Sequence, residues 1–343
     1  MGNQKNAAVN GLNAAHTGCG LWLMGCAMMV LAMAVIGAIT RLTESGLSIT
    51  EWRPLIGALP PLNEAQWAHV FDLYRQTPEY LHKNKGMSLE DFQYIFFWEW
   101  FHRLWGRLIG LAFALPLIWF AVKRRIPAGY GWRFFGFLIL GGLQGAMGWY
   151  MVQSGLVDRP AVSHYRLAAH LGLAFLIYAL LFRTALDFIA LPASLAPHRA
   201  EKSDKTTRVL GLVCLALLAN TVIWGAFTAG LDAGLIYNSF PLMGGRFFPH
   251  DAGFLSPFWM NFVESHAGVQ FAHRWLAMTT AAFILAYAWR VRFAALGVMV
   301  VVQAGLGIAT LLSHVQIGLA AAHQAGAFIL LSLLIIAIMK ARV

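Results

Sequence analysis

Residues 21–40 read LWLMGCAMMVLAMAVIGAIT, twenty consecutive residues without a charged side chain. At about 1.5 Å rise per residue, a helix of this length crosses the roughly 30 Å hydrocarbon core of a bilayer. The rest of the chain has the same character, because 59% of its 343 residues are hydrophobic and 12% are charged. Soluble domains carry about 25% charged residues, so this composition indicates an integral membrane protein.

Eight such apolar runs predict an all-α integral membrane protein with eight transmembrane helices. The runs are Leu21–Thr40, Phe92–Val122, Trp132–Gln153, His164–Ala190, Arg208–Gly230, Asn261–Trp289, Phe293–Ser313 and Ile317–Met339. The long outer loop, 41–91, contains one further helical pattern. Asn63 and Gln66 form a capping-box pattern there, and apolar residues follow it at helical spacing. We expect a short amphipathic helix on the outer membrane surface, or an ordinary helical connector.

The distribution of charge predicts the orientation of the chain. The segments on the side of the two termini carry 14 Lys or Arg and three Asp or Glu, whereas the opposite segments carry 8 and 11. Cytoplasmic loops are enriched in Lys and Arg, so both termini are expected in the cytoplasm, with the protein in the cell inner membrane. The net charge of +10 therefore reports topology and lipid contact rather than nucleic-acid binding.

The two halves of the sequence repeat one another. The matched segments are Gly37–Thr40 with Gly225–Thr228, Gly46-Leu47 with Gly234-Leu235, His102-Arg103 with His273-Arg274, Gln144 and Gly148 with Gln303 and Gly307, and Ala169-His170 with Ala322-His323. Each half would contain four helices of the same topology. The repeat therefore predicts two pseudo-symmetric four-helix bundles, one within residues 1–195 and the other within 196–343.

The repeat gives each half one His on its second helix and one on its fourth. His273 and His323 each precede a basic residue at the inner end of their helix by 17 residues, which is about 25 Å of helix. His102 and His170 fall in the same outer zone of the membrane. Two imidazoles at equal depth on facing helices can bind the iron of a flat haem from both sides. Alternatively, an intramembrane His can serve as an interhelical hydrogen-bond partner, and a zinc site would require three or four ligands.

The halves differ at one chemically important position. Glu99 lies one helical turn before His102, whereas Gln270 occupies the corresponding place before His273. A carboxyl group can exchange a proton and an amide cannot. We therefore expect chemistry at the first haem site and electron storage or transfer at the second. A structural alternative is an ion pair between Glu99 and Arg103 at i,i+4.

The pattern resembles the haem A synthase family over nearly the whole chain. The stretches that carry the resemblance are ITRLTESGLS at 39–48, EWRP at 51–54, EWFHRLWGR at 99–107, FAHR at 271–274 and AHQ at 322–324. Some family members carry a cysteine pair in the first outer loop, and this sequence has no cysteine there. It is thus most similar to the proteobacterial and mitochondrial branch.

The resemblance implies an enzyme that oxidises the C8 methyl of haem O to a formyl group by two hydroxylations and dehydration. The product, haem A, would serve cytochrome c oxidase. By position, His102 and His170 would bind the iron of the substrate haem beside a catalytic Glu99. His273 and His323 would bind the iron of a haem b cofactor. Arg103 and Arg274 are candidates for the haem propionates. Expected partners are the lipid bilayer, haem O synthase, an electron donor such as quinol or ferredoxin, and a second copy of the chain.

Two other functions are compatible with parts of this pattern. A two-haem b-type cytochrome that takes electrons from quinol would explain the four histidines but not the difference between Glu99 and Gln270. A transporter would explain the repeated helices but would contain no haem.

Overall fold

The computed structural model describes residues 2–51, 56–157, 162–189 and 205–340. The chain in these ranges is helical and contains no β-strand. The helices are α1 (Gly2–Leu42), α2 (Glu64–Tyr74), α3 (Pro78–His82), α4 (Leu89–Val122), α5 (Gly131–Val157), α6 (His164–Ala185), α7 (Lys205–Gly230), α8 (Asn261–Glu264), α9 (His266–Arg290), α10 (Ala294–Leu312) and α11 (Ile317–Lys340). The predicted boundary between the halves, at 195/196, and the Trp-Arg-Pro part of the EWRP stretch lie outside the described residues.

Seven helices in the described part of the chain are long and apolar enough to cross a membrane: α1, α4, α5, α6, α7, α10 and α11. The prediction of a helical, multi-pass membrane protein is therefore confirmed. Helix α9 is 25 residues long, but four of its first nine residues are His, Gln or Arg, which lowers its hydropathy. The eighth membrane crossing remains a prediction.

The sixth predicted run is interrupted, which sequence hydropathy did not indicate. Residues Asn261–Trp289 were expected to form one helix, but α8 ends at Glu264 and α9 begins at His266. Ser265 between them has an extended backbone (φ −81°, ψ 129°), and its side chain accepts a hydrogen bond from the N–H of Gly268. The chain therefore turns at Ser265, where a serine N-cap begins a new helix.

The packing of the long helices follows the order expected from the repeat. In the first half α1 contacts α4 and α6, and in the second half α7 contacts α9 and α11. Between the halves, α6 lies against α7 and α1 lies against α11. Phe175 of α6 and Phe328 of α11 stack at a centroid distance of 3.8 Å, within one continuous buried apolar cluster. These contacts join the two halves through α6 and α11, the helices that carry His170 and His323.

The predicted helix in the outer loop is present as α2. Asn63 is the N-cap of α2 and accepts a hydrogen bond from the N–H of Gln66 at 2.9 Å, as the capping pattern predicts. Its apolar face packs on protein, because Phe71 and Tyr74 are buried against Phe92 near the start of α4. Burial on α4 fixes the outer loop directly above the first half.

Candidate haem-binding and proton-transfer site

The structure brings together the two predicted histidines of the first half. His102 on α4 and His170 on α6 are both half-buried, and their imidazoles lie within electrostatic range of each other. The remaining helices of that half approach them with glycines. A Cβ atom added to Gly37 of α1 would lie 3.3 Å from Nε2 of His102, and one added to Gly148 of α5 would lie 3.1 Å from Cε1 of His170. All four helices of the first half therefore meet at the histidine pair.

The second half repeats this arrangement. His273 on α9 and His323 on α11 are half-buried and also lie within electrostatic range of each other. A Cβ atom on Gly225 of α7 would be 3.1 Å from Cε1 of His273, and one on Gly307 of α10 would be 2.8 Å from Cε1 of His323. The four glycines belong to the matched segments of the repeat, but their contact with imidazole was not predicted. Gly172, two residues after His170, has nothing within 4 Å of its added Cβ position and so leaves open space beside this helix.

Two glutamines hold His170 and His323, the histidines on the last long helix of each half. The side-chain amide of Gln144 donates to the main-chain carbonyl of His170 at 3.1 Å, and that of Gln303 donates to the carbonyl of His323 at 2.9 Å. The same amides lie 3.4 Å and 3.2 Å from a ring nitrogen of these histidines. Such supporting contacts restrict the orientation of a ligand ring. The sequence repeat matches Gln144 with Gln303, but the repeat alone does not predict these contacts.

Glu99 forms the centre of a hydrogen-bonded clamp. Its Oε2 accepts hydrogen bonds from the hydroxyl of Ser48 and the N–H of Ile49, both at 2.7 Å, and its Oε1 accepts one from Arg103. Arg103 also donates to the carbonyl of Ile49 at 3.1 Å. The alternative ion pair at i,i+4 is therefore present, and Glu99 is 2% exposed. The clamp attaches the segment that follows α1 to α4, one turn before His102.

The second half has a similar clamp in which an amide takes the place of the carboxylate. The amide of Gln270 donates to the carbonyl of Tyr237 at 3.1 Å, and Arg274 donates to the carbonyl of Pro241 at 2.9 Å. Tyr237 is 188 residues after Ile49, the same offset that relates Gly46 to Gly234. Arg103 and Arg274, which we had considered for propionates, thus both bind the loop that follows the first helix of their half.

A buried acid in the outer segment lies near this clamp. Glu79 of α3 is 3% exposed, and the hydroxyl of Tyr74 donates to it at 3.2 Å. The pKa of Glu79 is raised to about 7, chiefly by burial and also by the nearby negative charge of Glu99, while the hydrogen bond from Tyr74 and the charge of Lys83 partly offset the rise. Burial likewise raises the pKa of Tyr74. The outer side of the first half therefore contains a carboxyl group that titrates near neutral pH.

We predict that enlarging Gly307 will displace His323. The methyl group of Gly307→Ala would press on the imidazole at 2.8 Å, and overpacking of this kind costs about 1–3 kcal/mol, or roughly a five- to hundredfold loss of ligand affinity. The measurement is the haem content of the purified variant by absorbance. Gly305→Ala is the matched control on the same helix, because nothing lies within 4 Å of its added Cβ. Equal haem content in Gly307→Ala and Gly305→Ala would show that the added methyl group does not displace His323.

Comparison of the sequence with known proteins gives the family of this chain. The family model for cytochrome oxidase assembly proteins (COX15-CtaA) matches residues 20–335. A relative named Heme A synthase from Rhodospirillum centenum is 54% identical over 333 residues, covering 94% of this chain and 88% of the relative. The chain belongs to the haem A synthase family. A Heme A synthase from Parvibaculum lavamentivorans is 48% identical and covers 94% of both chains. One from Nitrosospira multiformis is also 48% identical, over 90% of this chain and 89% of its own.

Membership in the haem A synthase family confirms the resemblance drawn from the short motifs. The matched range, 20–335, contains the positions of all four histidines and of both clamps. Within the described residues, no group of three or more His, Cys, Asp or Glu side chains could hold a metal ion.

Proposed function

We propose that the protein converts haem O to haem A, by oxidising the C8 methyl of the macrocycle to a formyl group through two hydroxylations and a dehydration. The product would supply cytochrome c oxidase. The observation that carries this proposal is the pairing of His102 with His170 and of His273 with His323, in a chain whose relatives are named Heme A synthase. Family membership favours this function over a quinol-oxidising cytochrome.

The residues around His273 and His323 fit a haem b cofactor. Imidazole nitrogen is a common axial ligand of haem iron, and Nδ1 of His273 is buried without a hydrogen-bond partner. Because Gly225 and Gly307 have no side chain, the imidazoles of His273 and His323 can pack closely against the neighbouring helices. When bound, this haem would supply one-electron transfer. The protein would contribute the two ligands, their orientation through Gln303, and a clamp that carries no carboxylate.

The first half would bind the substrate. We infer that His102 and His170 hold the iron of haem O, and that Glu99, one turn from His102, provides the carboxyl group needed for proton transfer during methyl oxidation. Arg103 keeps Glu99 in place and attaches the outer segment above the site. Because haem O carries an apolar farnesyl tail, entry from the lipid between helices is the expected route.

The same proposal assigns the halves and their orientation. Residues 1–195 would form the substrate bundle and 196–343 the cofactor bundle, with eight membrane crossings related by a pseudo-twofold axis. Both termini would lie in the cytoplasm, the protein would lie in the cell inner membrane, and both haem sites would face the periplasmic side. Haem O synthase, a quinol or ferredoxin electron donor and a second copy of the chain are proposed partners.

The proposed function can be tested by pigment analysis. The protein is purified with its b-type haem, supplied with haem O and an electron donor, and the haems are extracted and separated by chromatography. We expect the hydroxymethyl intermediate and the formyl product. A protein that retains its b-type haem and converts no haem O would refute haem A synthesis and favour an electron-transfer cytochrome.

A further inference from the structure

A cavity in the first half lies between the outer loop and the start of α4. Its volume is about 630 Å³, and its walls include Lys83 and Lys85 of the outer loop and Ile95 of α4. Ile95 is one helical turn before Glu99 and on the same face of α4. Seven residues, or about 10 Å of helix, separate Ile95 from His102. The cavity therefore lies on the outer side of the first histidine pair.

A well-defined turn presents the lysines of this cavity. The N–H of Met87 donates to the carbonyl of Asn84 at 3.0 Å, and Gly86, third in the turn, has φ 91°, a left-handed conformation that suits glycine. The side chain of Asn84 donates to the hydroxyl of Tyr74 at 2.7 Å, and the N–H of Gly86 donates to that of Tyr80 at 3.2 Å. Both tyrosines pack in the aromatic cluster between α2 and α4, so the turn has a fixed position above α4.

One of the two lysines has no charged partner. Lys83 forms an ion pair with Glu44 at 3.2 Å, whereas Lys85 forms none within the part of the chain that the structure describes. The carboxylate of Asp91, which also lines the cavity, accepts a hydrogen bond from the N-cap serine of α4. The outer loop, 41–91, contains seven Asp or Glu and five Lys or Arg. A generally basic surface therefore does not explain the lysines of the cavity, and they favour an anionic ligand.

The second half has a cavity at the equivalent place with the opposite charge. Its volume is about 610 Å³, and its wall residues Ser265 and His266 correspond to Tyr94 and Ile95 at the offset of 171 residues that relates the histidines of α4 and α9. The charged wall residues of the first cavity are two lysines and one aspartate, and those of the second are one aspartate and one glutamate. An anion is thus attracted to the first cavity and repelled from the second.

The arginines next to the histidines are already engaged by the protein. Arg103 binds Glu99 and the carbonyl of Ile49, and Arg274 binds the carbonyl of Pro241. A haem carries two propionate groups, and ammonium or guanidinium groups form charge-assisted hydrogen bonds with such carboxylates. A haem held in the first half therefore needs a cation other than Arg103 for its propionates.

We propose that the cavity binds the propionate carboxylates of the substrate haem, with Lys85 as the main cation and Lys83 beside it. This inference rests on the proposed function, because it takes haem O as the ligand of the first half. The apolar wall residues Ile95 and Ile317 would contact the ring edge that carries the propionates. The acidic walls of the second cavity would disfavour the same mode of binding there.

Binding of the propionates would also select the methyl group that reacts. On the haem ring, the C8 methyl and one propionate are substituents of the same pyrrole. If the iron lies between His102 and His170 and the propionates reach the cavity, this pyrrole is turned toward the outer part of α4, where Glu99 lies. Lys83 and Lys85 are therefore substrate-positioning residues that do not touch the reacting methyl group.

The test measures the binding of zinc mesoporphyrin, a fluorescent dicarboxylic porphyrin, and of its dimethyl ester to the protein purified with its b-type haem. We expect the diacid to bind more tightly than the ester. Replacing both lysines, Lys83→Gln with Lys85→Gln, should narrow this ratio by roughly two- to thirtyfold, the effect of two exposed ion pairs. Lys85→Arg should preserve the ratio and Lys85→Glu should favour the ester. The KM for haem O should rise in the double variant.

Arg246→Gln is the matched control, because it removes a positive charge from an exposed position in the outer part of the second half. It should leave the ratio unchanged. An unchanged ratio in the double lysine variant, or an equal loss in Arg246→Gln, would overturn the carboxylate site. So would loss of bound phosphatidylglycerol from the double variant without a change in the ratio, which would assign the cavity to a lipid headgroup.

The two proposals fail in different ways. If the unmodified protein makes no haem A but its preference for the diacid depends on the lysines, the proposed function is wrong and the carboxylate site stands. If it makes haem A and the preference does not depend on the lysines, the carboxylate site is wrong and the proposed function stands.

Discussion

His323→Ala protein should purify without its b-type haem. Removing one of two axial imidazoles leaves the iron with a single strong ligand, and changes even in the groups around a metal ligand lower affinity by about 10–100-fold. We expect the reduced-minus-oxidised haem b spectrum to fall by at least this factor. His273→Ala should behave in the same way, because the two imidazoles lie within electrostatic range of each other.

The expected loss of haem would result from removal of the imidazole and not from unfolding of the protein. Gln303 binds the main-chain carbonyl of His323, so the contact between α10 and α11 survives removal of the imidazole. His266→Ala is the matched control, because His266 is exposed at the first residue of α9. Free imidazole added to His323→Gly should restore haem binding. Full haem content in His323→Ala would contradict the assignment of this pair.

Alanine substitutions of His102 and His170 should have a different effect from those of His273 and His323. We expect His102→Ala and His170→Ala to retain b-type haem and to lose conversion of haem O, because these residues would hold the substrate. The measurements are the haem b spectrum and chromatography of extracted haems. Loss of haem b in these variants, with retention in His273→Ala, would reverse the roles assigned to the two halves.

The membrane helices could be predicted because hydropathy is a local property of the sequence. Seven of the expected runs correspond to helices of sufficient length and apolarity. The interruption at Ser265 was missed because a single extended residue does not alter the hydropathy of the surrounding run. The contact of α2 with α4 could not be predicted for another reason. The sequence shows that its face is apolar, but only the fold shows that Phe92 of α4, and not lipid, covers it.

The histidine pairs could be predicted from the repeat, since matched residues in duplicated halves occupy matched places. Contacts that depend on the rotation of neighbouring helices could not. Gly307 and Gln303 were recognised only as repeated positions, although both approach His323. Ser48 was part of the motif at 39–48, and its contact with Glu99 depends on how the loop folds back onto α4. A comparison of Ser48 with Ile236 at the repeat offset would have been the available signal.

Glu99→Gln should keep the b-type haem and stop product formation. The variant preserves the size of the side chain but cannot exchange a proton, and loss of general acid–base catalysis typically costs about 10²–10⁴-fold in rate. Haem b absorbance and pigment chromatography on the same sample measure the two effects separately. Retention of full activity would remove the carboxylate from the mechanism.

The second half shows why this variant can fold. Removing one member of a buried ion pair costs about 3–5 kcal/mol when the other charge is left without compensation. Gln270 beside Arg274, however, is a natural example of an amide and a guanidinium that hold an equivalent loop through carbonyls. The converse variant, Gln270→Glu, places a carboxylate beside Arg274 but has Ile236 where the first half has Ser48. It should retain haem b and leave product formation unchanged, because the second half would hold the cofactor haem and not the substrate. An increase in haem A from Gln270→Glu would show that the second site also reacts and that the carboxylate alone decides which half does so.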